Sequence, residues 1–123
     1  MQAIYLDHAA TTPVRREVVE AMAPYLDVDF GNPSSVHAFG RRAAAALEDA
    51  RARLAGALGA HASEIVFVRG GTEADNLAVF GVAGRVRAEG RAPALAVSAI
   101  EHPAVLEAAR AAAGEDGAFL TIP

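Results

Sequence analysis

The sequence predicts an α/β fold in which helices flank a sheet. The prediction rests on the order of segments after Gly59, where three short apolar runs alternate with two stretches of helical periodicity. The runs are EIVFV, ALAVS and AFLTI, and the helical stretches are TEADNLAVFGVAGRVR and HPAVLEAARAAA. A β-α-β-α-β order is typical of a helix-flanked sheet. The length of 123 residues suits one ordinary domain.

The N-terminal segment predicts a short strand followed by a helix. Residues 3–6 form an apolar run of the length of an edge strand. Thr12 fits the N-cap of the helix and Pro13 its first position, where the missing N–H of proline costs nothing. Apolar side chains then recur at helical spacing and predict one buried face. They are Val14, Val18, Met22 and Tyr25.

An irregular loop, DVDFGNPSSVHAFG, separates this helix from a longer one. Its Gly, Asn, Pro and Ser residues favour turns. We expect Asn32 and Ser34 to make turn hydrogen bonds, and Ser34 or Ser35 to cap the next helix. Loops held on rigid elements often carry binding groups, so Asn32 and His37 are also candidates for ligand contact.

The longer helix is predicted from about Val36 or Arg41 to Leu58, and Gly59 is its C-terminal stop. Its apolar residues form a single stripe, while the charged residues between them fit a solvated face. The stripe contains Val36, Phe39, Ala43, Leu47, Ala50, Leu54 and Leu58.

Composition excludes several classes of function. The net charge of −4 and the pI near 5.5 argue against a nucleic-acid or anionic-membrane partner. No apolar stretch approaches the roughly 20 residues of a membrane span, and the N-terminus lacks the basic start and apolar core of a signal peptide. A soluble, cytoplasmic protein is therefore expected.

Two residue types are missing from the chain. It has no cysteine, and all eleven of its basic Lys+Arg residues are arginines. The side chains therefore include no thiolate nucleophile and no amine that could form a Schiff base with an aldehyde. The four histidines are scattered at no metal-ligand spacing, so no metal site is predicted.

The segment RGGTEADN, residues 69–76, has the order of a phosphate site: an apolar run, a glycine turn and a helix start. Gly70 and Gly71 allow a sharp turn, and Thr72 fits the helix N-cap with Asp75 as a weak capping partner. Neither the P-loop nor the dinucleotide-binding glycine pattern is present. The alternative is an ordinary capped turn.

His102 follows the apolar run ALAVS and precedes Pro103, which suits the first turn of a helix. This position is the C-terminal edge of the predicted sheet, where open α/β sheets bind ligands. Thr72 follows the preceding run, so we expect the two side chains to face one crevice. The alternative is that His102 only caps its helix.

Four segments together resemble a known family: YLDHAATTP, FGNPSSVHAFG, IVFVRGGTEADN and IEHPAVL. In order and spacing they are similar to the N-terminal portion of cysteine desulfurases, pyridoxal-phosphate enzymes of the class V aminotransferase family. The form EHPAVL most resembles the branch serving nitrogenase and general iron–sulfur cluster assembly. The resemblance covers essentially the whole chain. It implies an incomplete N-terminal part of the fold type I large domain, a three-layer α/β/α structure with a mostly parallel sheet.

The resemblance also implies roles for residues. Gly71 and Thr72 would bind the phosphate of pyridoxal 5'-phosphate through backbone amides and the hydroxyl. His102 would stack on the pyridine ring and assist proton transfers. The GNPSS and DHAATTP segments would line the active-site entrance near the partner of a homodimer. One departure is Arg69, which stands where relatives commonly carry a small hydroxyl residue.

The family reaction removes sulfur from L-cysteine to give alanine and an enzyme persulfide, which serves an iron–sulfur scaffold or another sulfur acceptor. The resemblance implies that three further residues lie after Pro123. They are the lysine that forms the Schiff base with the cofactor, the cysteine that carries the persulfide and the acidic partner of the pyridine nitrogen. The 123 residues alone, as a truncated, split or partial chain, are therefore predicted to be inactive.

The resemblance divides the chain into an entrance segment, residues 1–35, and the start of the cofactor-binding domain, residues 36–123. Two alternatives stay open. One is a selenocysteine lyase or another class V enzyme. The other, from a different class, is a non-catalytic standalone partner or a phosphate-binding module.

Overall fold

The computed structural model describes residues 3–123 and divides the chain after Ile65 into two units. The first unit is helical and the second is α/β. The helices of the first unit are α1 (Arg16–Met22), α2 (Pro24–Asp27) and α3 (Ala38–Leu58), followed by a 3-10 turn at Ala62–Glu64. The second unit contains α4 (Gly71–Ala88), β1 (Ala94–Ser98), α5 (Pro103–Ala113) and β2 (Ala118–Ile122).

The sheet consists of β1 and β2, which pair in parallel with Leu95 opposite Phe119. Helix α5 crosses over between them and contacts both strands. This arrangement confirms the predicted α/β class and the parallel pairing. The three-layer arrangement is not complete within residues 3–123, because α4 and α5 accompany only this one pair of strands.

Two predicted strands are wrong for the described part of the chain: residues 3–6 are irregular, and in the run EIVFV Glu64 ends the 3-10 turn while residues 65–68 are irregular. A strand forms only where another strand accepts its backbone hydrogen bonds, and the described sheet ends at β1 and β2. The carbonyl of Ile65 instead accepts a hydrogen bond of 2.5 Å from the guanidinium of Arg51. Val66 and Phe67 remain exposed.

Helix α1 begins later than predicted, so Thr12 is not its N-cap. Arg15 still has an extended backbone (φ −63°, ψ 147°), and its carbonyl accepts the first helical hydrogen bonds, from Val18 and Val19. The predicted buried face is also wrong, since its members are 38 to 61% exposed. The reason is that α1 and α2 are short and mainly contact each other.

Helix α3 confirms the predicted long helix. It ends at Leu58, and Gly59 takes the left-handed conformation (φ 68°) that favours glycine at a helix C-terminus. Its cap is not Ser34 or Ser35 but His37, whose Nδ1 accepts the N–H of Gly40 at 3.3 Å.

The loop before α3 makes the predicted Asn32 turn, in which Oδ1 accepts the N–H of Ser34 at 2.9 Å. The stripe predicted along α3 is only partly covered, because Phe39, Leu47 and Leu54 are 48, 37 and 41% exposed. Gly40 and Ala55 are the buried residues of this helix.

Small side chains form the core of the second unit. Helices α4 and α5 are in extensive contact, and the buried residues are Ala83 on α4 and Ala108, Ala109, Ala112 and Ala113 on α5. Alanines let helix backbones approach closely, so that well-packed contact is reached without large apolar side chains. Helix α4 is therefore packed against the helix that follows β1.

An arginine joins the far ends of α4 and α5. The guanidinium of Arg87 donates to both carboxylate oxygens of Asp116, at 3.0 and 2.7 Å, and to the carbonyl of Ala113 at 2.8 Å. These hydrogen bonds lower the pKa of Asp116 below its ordinary value of 3.8 and raise the pKa of Arg87. The pair connects α4 to the turn that leads into β2.

Among the helices of residues 3–123, none combines the length and the apolar character that a membrane crossing requires.

The Asp116 pair predicts a pH dependence of stability. Because the folded pKa of Asp116 lies below 3.8, its contribution is present above that pH and is lost as pH falls through the folded pKa. We expect Asp116→Asn to unfold at lower urea concentration than the wild type at pH 6, with the difference shrinking towards pH 2. Glu115→Gln is the matched control and should show no such convergence. A constant difference across this pH range would contradict the prediction.

Candidate functional site

The start of α4 presents unpaired backbone donors. Gly70 is its N-cap, in an extended conformation, and the first helical hydrogen bond runs from the N–H of Ala74 to the carbonyl of Gly70 at 3.1 Å. The amides of Gly71, Thr72 and Glu73 precede this bond, so the helix gives them no acceptor. In the part of the chain that the structure describes, no other group accepts from them.

The capping arrangement differs from the predicted one. Thr72 is not the N-cap but the second helical residue, because the extended Gly70 precedes the helix. The capping partner is Glu73 rather than Asp75: its Oε2 accepts the N–H of Arg69 at 2.8 Å. A side chain that reaches back across the helix start in this way fixes the direction from which the chain enters the helix.

A cavity of about 550 Å³ lies at this helix start. The residues that line it are Arg69, Gly70, Gly71, Thr72, Glu73 and Asn76. The amide of Asn76 donates to the carbonyl of Thr72 at 2.8 Å, which holds the first turn of α4 in place. The cavity therefore combines backbone amides, a hydroxyl, an arginine and a carboxylate.

The glycines leave the cavity open. A Cβ built on Gly70 or Gly71 would meet no heavy atom within 4 Å, so this space is available to a ligand. Unpaired N–H groups at the positive end of a helix dipole favour an anion with several acceptor oxygens. This donor set fits the phosphate ester of pyridoxal phosphate, the cofactor that the sequence resemblance implies.

His102 is the N-cap of α5, four residues after β1 ends at Ser98. Its Nδ1 accepts the N–H of Ala104 at 3.1 Å, and Pro103 occupies the first helical position, as predicted. An accepting Nδ1 carries no proton, so the ring proton of the neutral imidazole is on Nε2. The ring is exposed.

The structure brings Gly71 and Thr72 together in one cavity, whereas His102 is not among the residues that line it. Sequence reasoning missed Glu73 and Asn76. The spacing Gly70-x-x-Glu73 is that of an N-cap and the third helical residue, so it carried a signal that was assigned to Thr72 and Asp75 instead.

The relatives found by comparison with known proteins are named as cysteine desulfurases. The cysteine desulfurase IscS of Dictyoglomus turgidum is 52% identical over 104 residues, which are 85% of this chain and 26% of that protein. The cysteine desulfurase IscS of Methanosarcina thermophila is 50% identical over 105 residues, again 85% and 26%. The chain spans about a quarter of the length of these relatives.

Solved structures give the same result for the fold. A NifS-like protein superposes with a TM-score of 0.87 at 34% identity, over 99% of this chain and 33% of that one. The structure of SspA in complex with cysteine superposes with a TM-score of 0.82 at 37% identity, over 96% and 33%. The fold is therefore that of the N-terminal part of the large domain of fold type I pyridoxal-phosphate enzymes, as predicted.

The family assignment rests on nearly the full chain. The sequence model of the family Aminotransferase class-V matches residues 4–123. This match and the two IscS relatives confirm the resemblance that the four segments indicated. The chain belongs to the class-V aminotransferase family.

Proposed function

We propose that this chain is the part of a cysteine desulfurase that holds the cofactor phosphate. The complete reaction converts L-cysteine to L-alanine and an enzyme persulfide, which supplies sulfur for iron–sulfur clusters. The observation that carries the proposal is the open cavity at the start of α4, with unpaired amides and a hydroxyl. The names of the IscS relatives and the cysteine complex of SspA support the substrate.

Gly71 and Thr72 are the proposed phosphate ligands. Their backbone N–H groups lack acceptors within residues 3–123, and the Thr72 hydroxyl adds a third donor. The helix dipole adds a favourable potential for the phosphate at the same place. Because these donors belong to one helix turn that Asn76 braces, they need little rearrangement when an anion binds. Pyridoxal phosphate, when bound, supplies the electron sink for the reaction.

His102 is proposed to stack on the pyridine ring and to move protons during catalysis. Its Nδ1 is held by the amide of Ala104, which limits rotation of the imidazole. The proton-bearing atom is then Nε2, the nitrogen left to exchange protons with substrate. The same hydrogen bond serves the start of α5, so His102 has both a structural and a proposed catalytic task.

The proposal extends to organisation and partners. Residues 1–35 would form the active-site entrance, and residues 36–123 would begin the cofactor-binding domain. Several apolar side chains of the described residues are strongly exposed, including Val36 at 89% and Ile100 at 92%. Removing such side chains from water against further protein would be favourable. We infer that the functional form is a homodimer that delivers sulfur to an iron–sulfur scaffold or another acceptor protein.

Removal of the Thr72 hydroxyl tests the phosphate site. We expect Thr72→Ala to weaken binding of pyridoxal phosphate by about 1–3 kcal/mol, the range for hydrogen bonds to charged groups. Thr72→Ser retains the hydroxyl and should bind almost as well as the wild type. Calorimetric titration with pyridoxal phosphate and with pyridoxal, which lacks the phosphate, measures both effects. Equal loss for the two ligands would argue against a phosphate contact.

Two substitutions of His102 separate its two tasks. His102→Asn keeps a helix-capping acceptor, whereas His102→Ala removes it and should lower the free energy of unfolding by about 1 kcal/mol. Both variants lack the imidazole, so both should lose the ring contact with pyridoxal. Urea unfolding measures the first effect and pyridoxal titration the second. Wild-type affinity for pyridoxal in His102→Asn would contradict the stacking role.

Composition predicts that the 123 residues do not turn over cysteine by themselves. Without lysine or cysteine, they offer no side-chain amine for the cofactor aldehyde and no thiol to receive sulfur. We expect alanine release from L-cysteine and pyridoxal phosphate to equal that of a protein-free control, as measured by amino-acid chromatography. Protein-dependent alanine formation would overturn this expectation.

A further inference from the structure

Arg69 is the exception among the arginines of the second unit. The other four have acidic partners: Arg85 and Arg91 pair with Glu89, Arg87 with Asp116 and Arg110 with Glu107. Within the described residues, the guanidinium of Arg69 has no acceptor, ion pair or aromatic contact. This one uncompensated cation lines the cavity at the start of α4.

The backbone of Arg69 is held at the cavity. Its N–H donates to Oε2 of Glu73 at 2.8 Å, so the residue is tied to the first turn of α4. The side chain therefore originates one residue before the N-cap Gly70, next to the unpaired amides. Arg69 therefore lines the same cavity as those amides.

The negative charge of Glu73 makes a nearby positive charge favourable for binding a phosphate at the start of α4. Its carboxylate lies at the same helix start and would repel a phosphate dianion, which opposes the attraction of the helix dipole. A guanidinium offsets that charge and matches phosphate oxygens with two parallel N–H donors, which a small hydroxyl residue does not offer.

We propose that Arg69 is a further ligand of the cofactor phosphate, donating from its guanidinium to oxygens that the amides of Gly71 and Thr72 also bind. This inference rests on the proposed function of the α4 site. Arg69 would offer the phosphate two N–H donors and a positive charge, whereas a small hydroxyl residue at this position would offer one neutral donor.

Nuclear magnetic resonance titration of the chain with inorganic phosphate tests the proposal. Backbone amide signals of Gly71 and Thr72 report the site, and the Nε–H signal of Arg69 reports the guanidinium. The titration is run at constant ionic strength with the wild type, Arg69→Ser, Arg69→Lys and Arg85→Ser. Arg85→Ser removes the same charge at the opposite end of the same helix, so it is the matched control.

We expect the Arg69 Nε–H signal and the two amide signals of the wild type to shift with one midpoint. Arg69→Ser should raise the Kd for phosphate about fivefold or more, and Arg69→Lys by less, because lysine keeps the charge but not the two-pronged donor. Arg85→Ser should stay within about twofold of the wild type, since it lies beyond one Debye length along the helix.

An unmoved Arg69 Nε–H signal, with equal Kd for the wild type and Arg69→Ser, would overturn the role of Arg69 and leave the amide site standing. Amide signals of Gly71 and Thr72 that do not respond to phosphate in any variant would overturn the proposed function of the site as well. The wild-type Nε–H signal decides the question even where a variant does not fold.

Discussion

A helix cannot provide acceptors for its own first N–H groups, and this constraint shapes the second unit of the chain. At α4 the amides of Gly71, Thr72 and Glu73 have no acceptor among residues 3–123, whereas at α5 the Nδ1 of His102 accepts the N–H of Ala104. The two helix starts are therefore chemically different. One retains donors for an anion, and the other uses its histidine to complete the helix.

Packing between α4 and α5 holds the two helices together within the second unit. The alanine contact between α4 and α5 has little freedom to adjust, because small side chains leave no room for repacking. The Arg87 pair with Asp116 joins the opposite ends of the same helices. The helix that carries the α4 donors is thus held by contacts along its length and at its far end.

Local sequence signals predicted the local features well. Gly59 after Leu58, Pro103 after His102 and Asn32 before Ser34 each have a conformation that neighbouring atoms decide. The strand at residues 64–68 and the buried face of α1 were wrong because they depend on partners distant in the chain. The prediction of Thr72 as N-cap was wrong for another reason. The two adjacent glycines allow the helix to begin at more than one position, and the preference of N-caps for hydroxyl side chains favoured Thr72 over Gly70.

A distinction between backbone donors and reactive side chains decides which chemistry the residues of the site could support. Phosphate binding by backbone amides needs a turn and a helix start, which residues 69–76 supply without any reactive side chain. Sulfur transfer and bonding to an aldehyde need a thiol and an amine, which no side chain of these 123 residues supplies. Under the proposed function, cofactor retention and cofactor chemistry are therefore separable physical tasks, and the amides and the Arg69 guanidinium, which lack partners within residues 3–123, are the proposed means of retention.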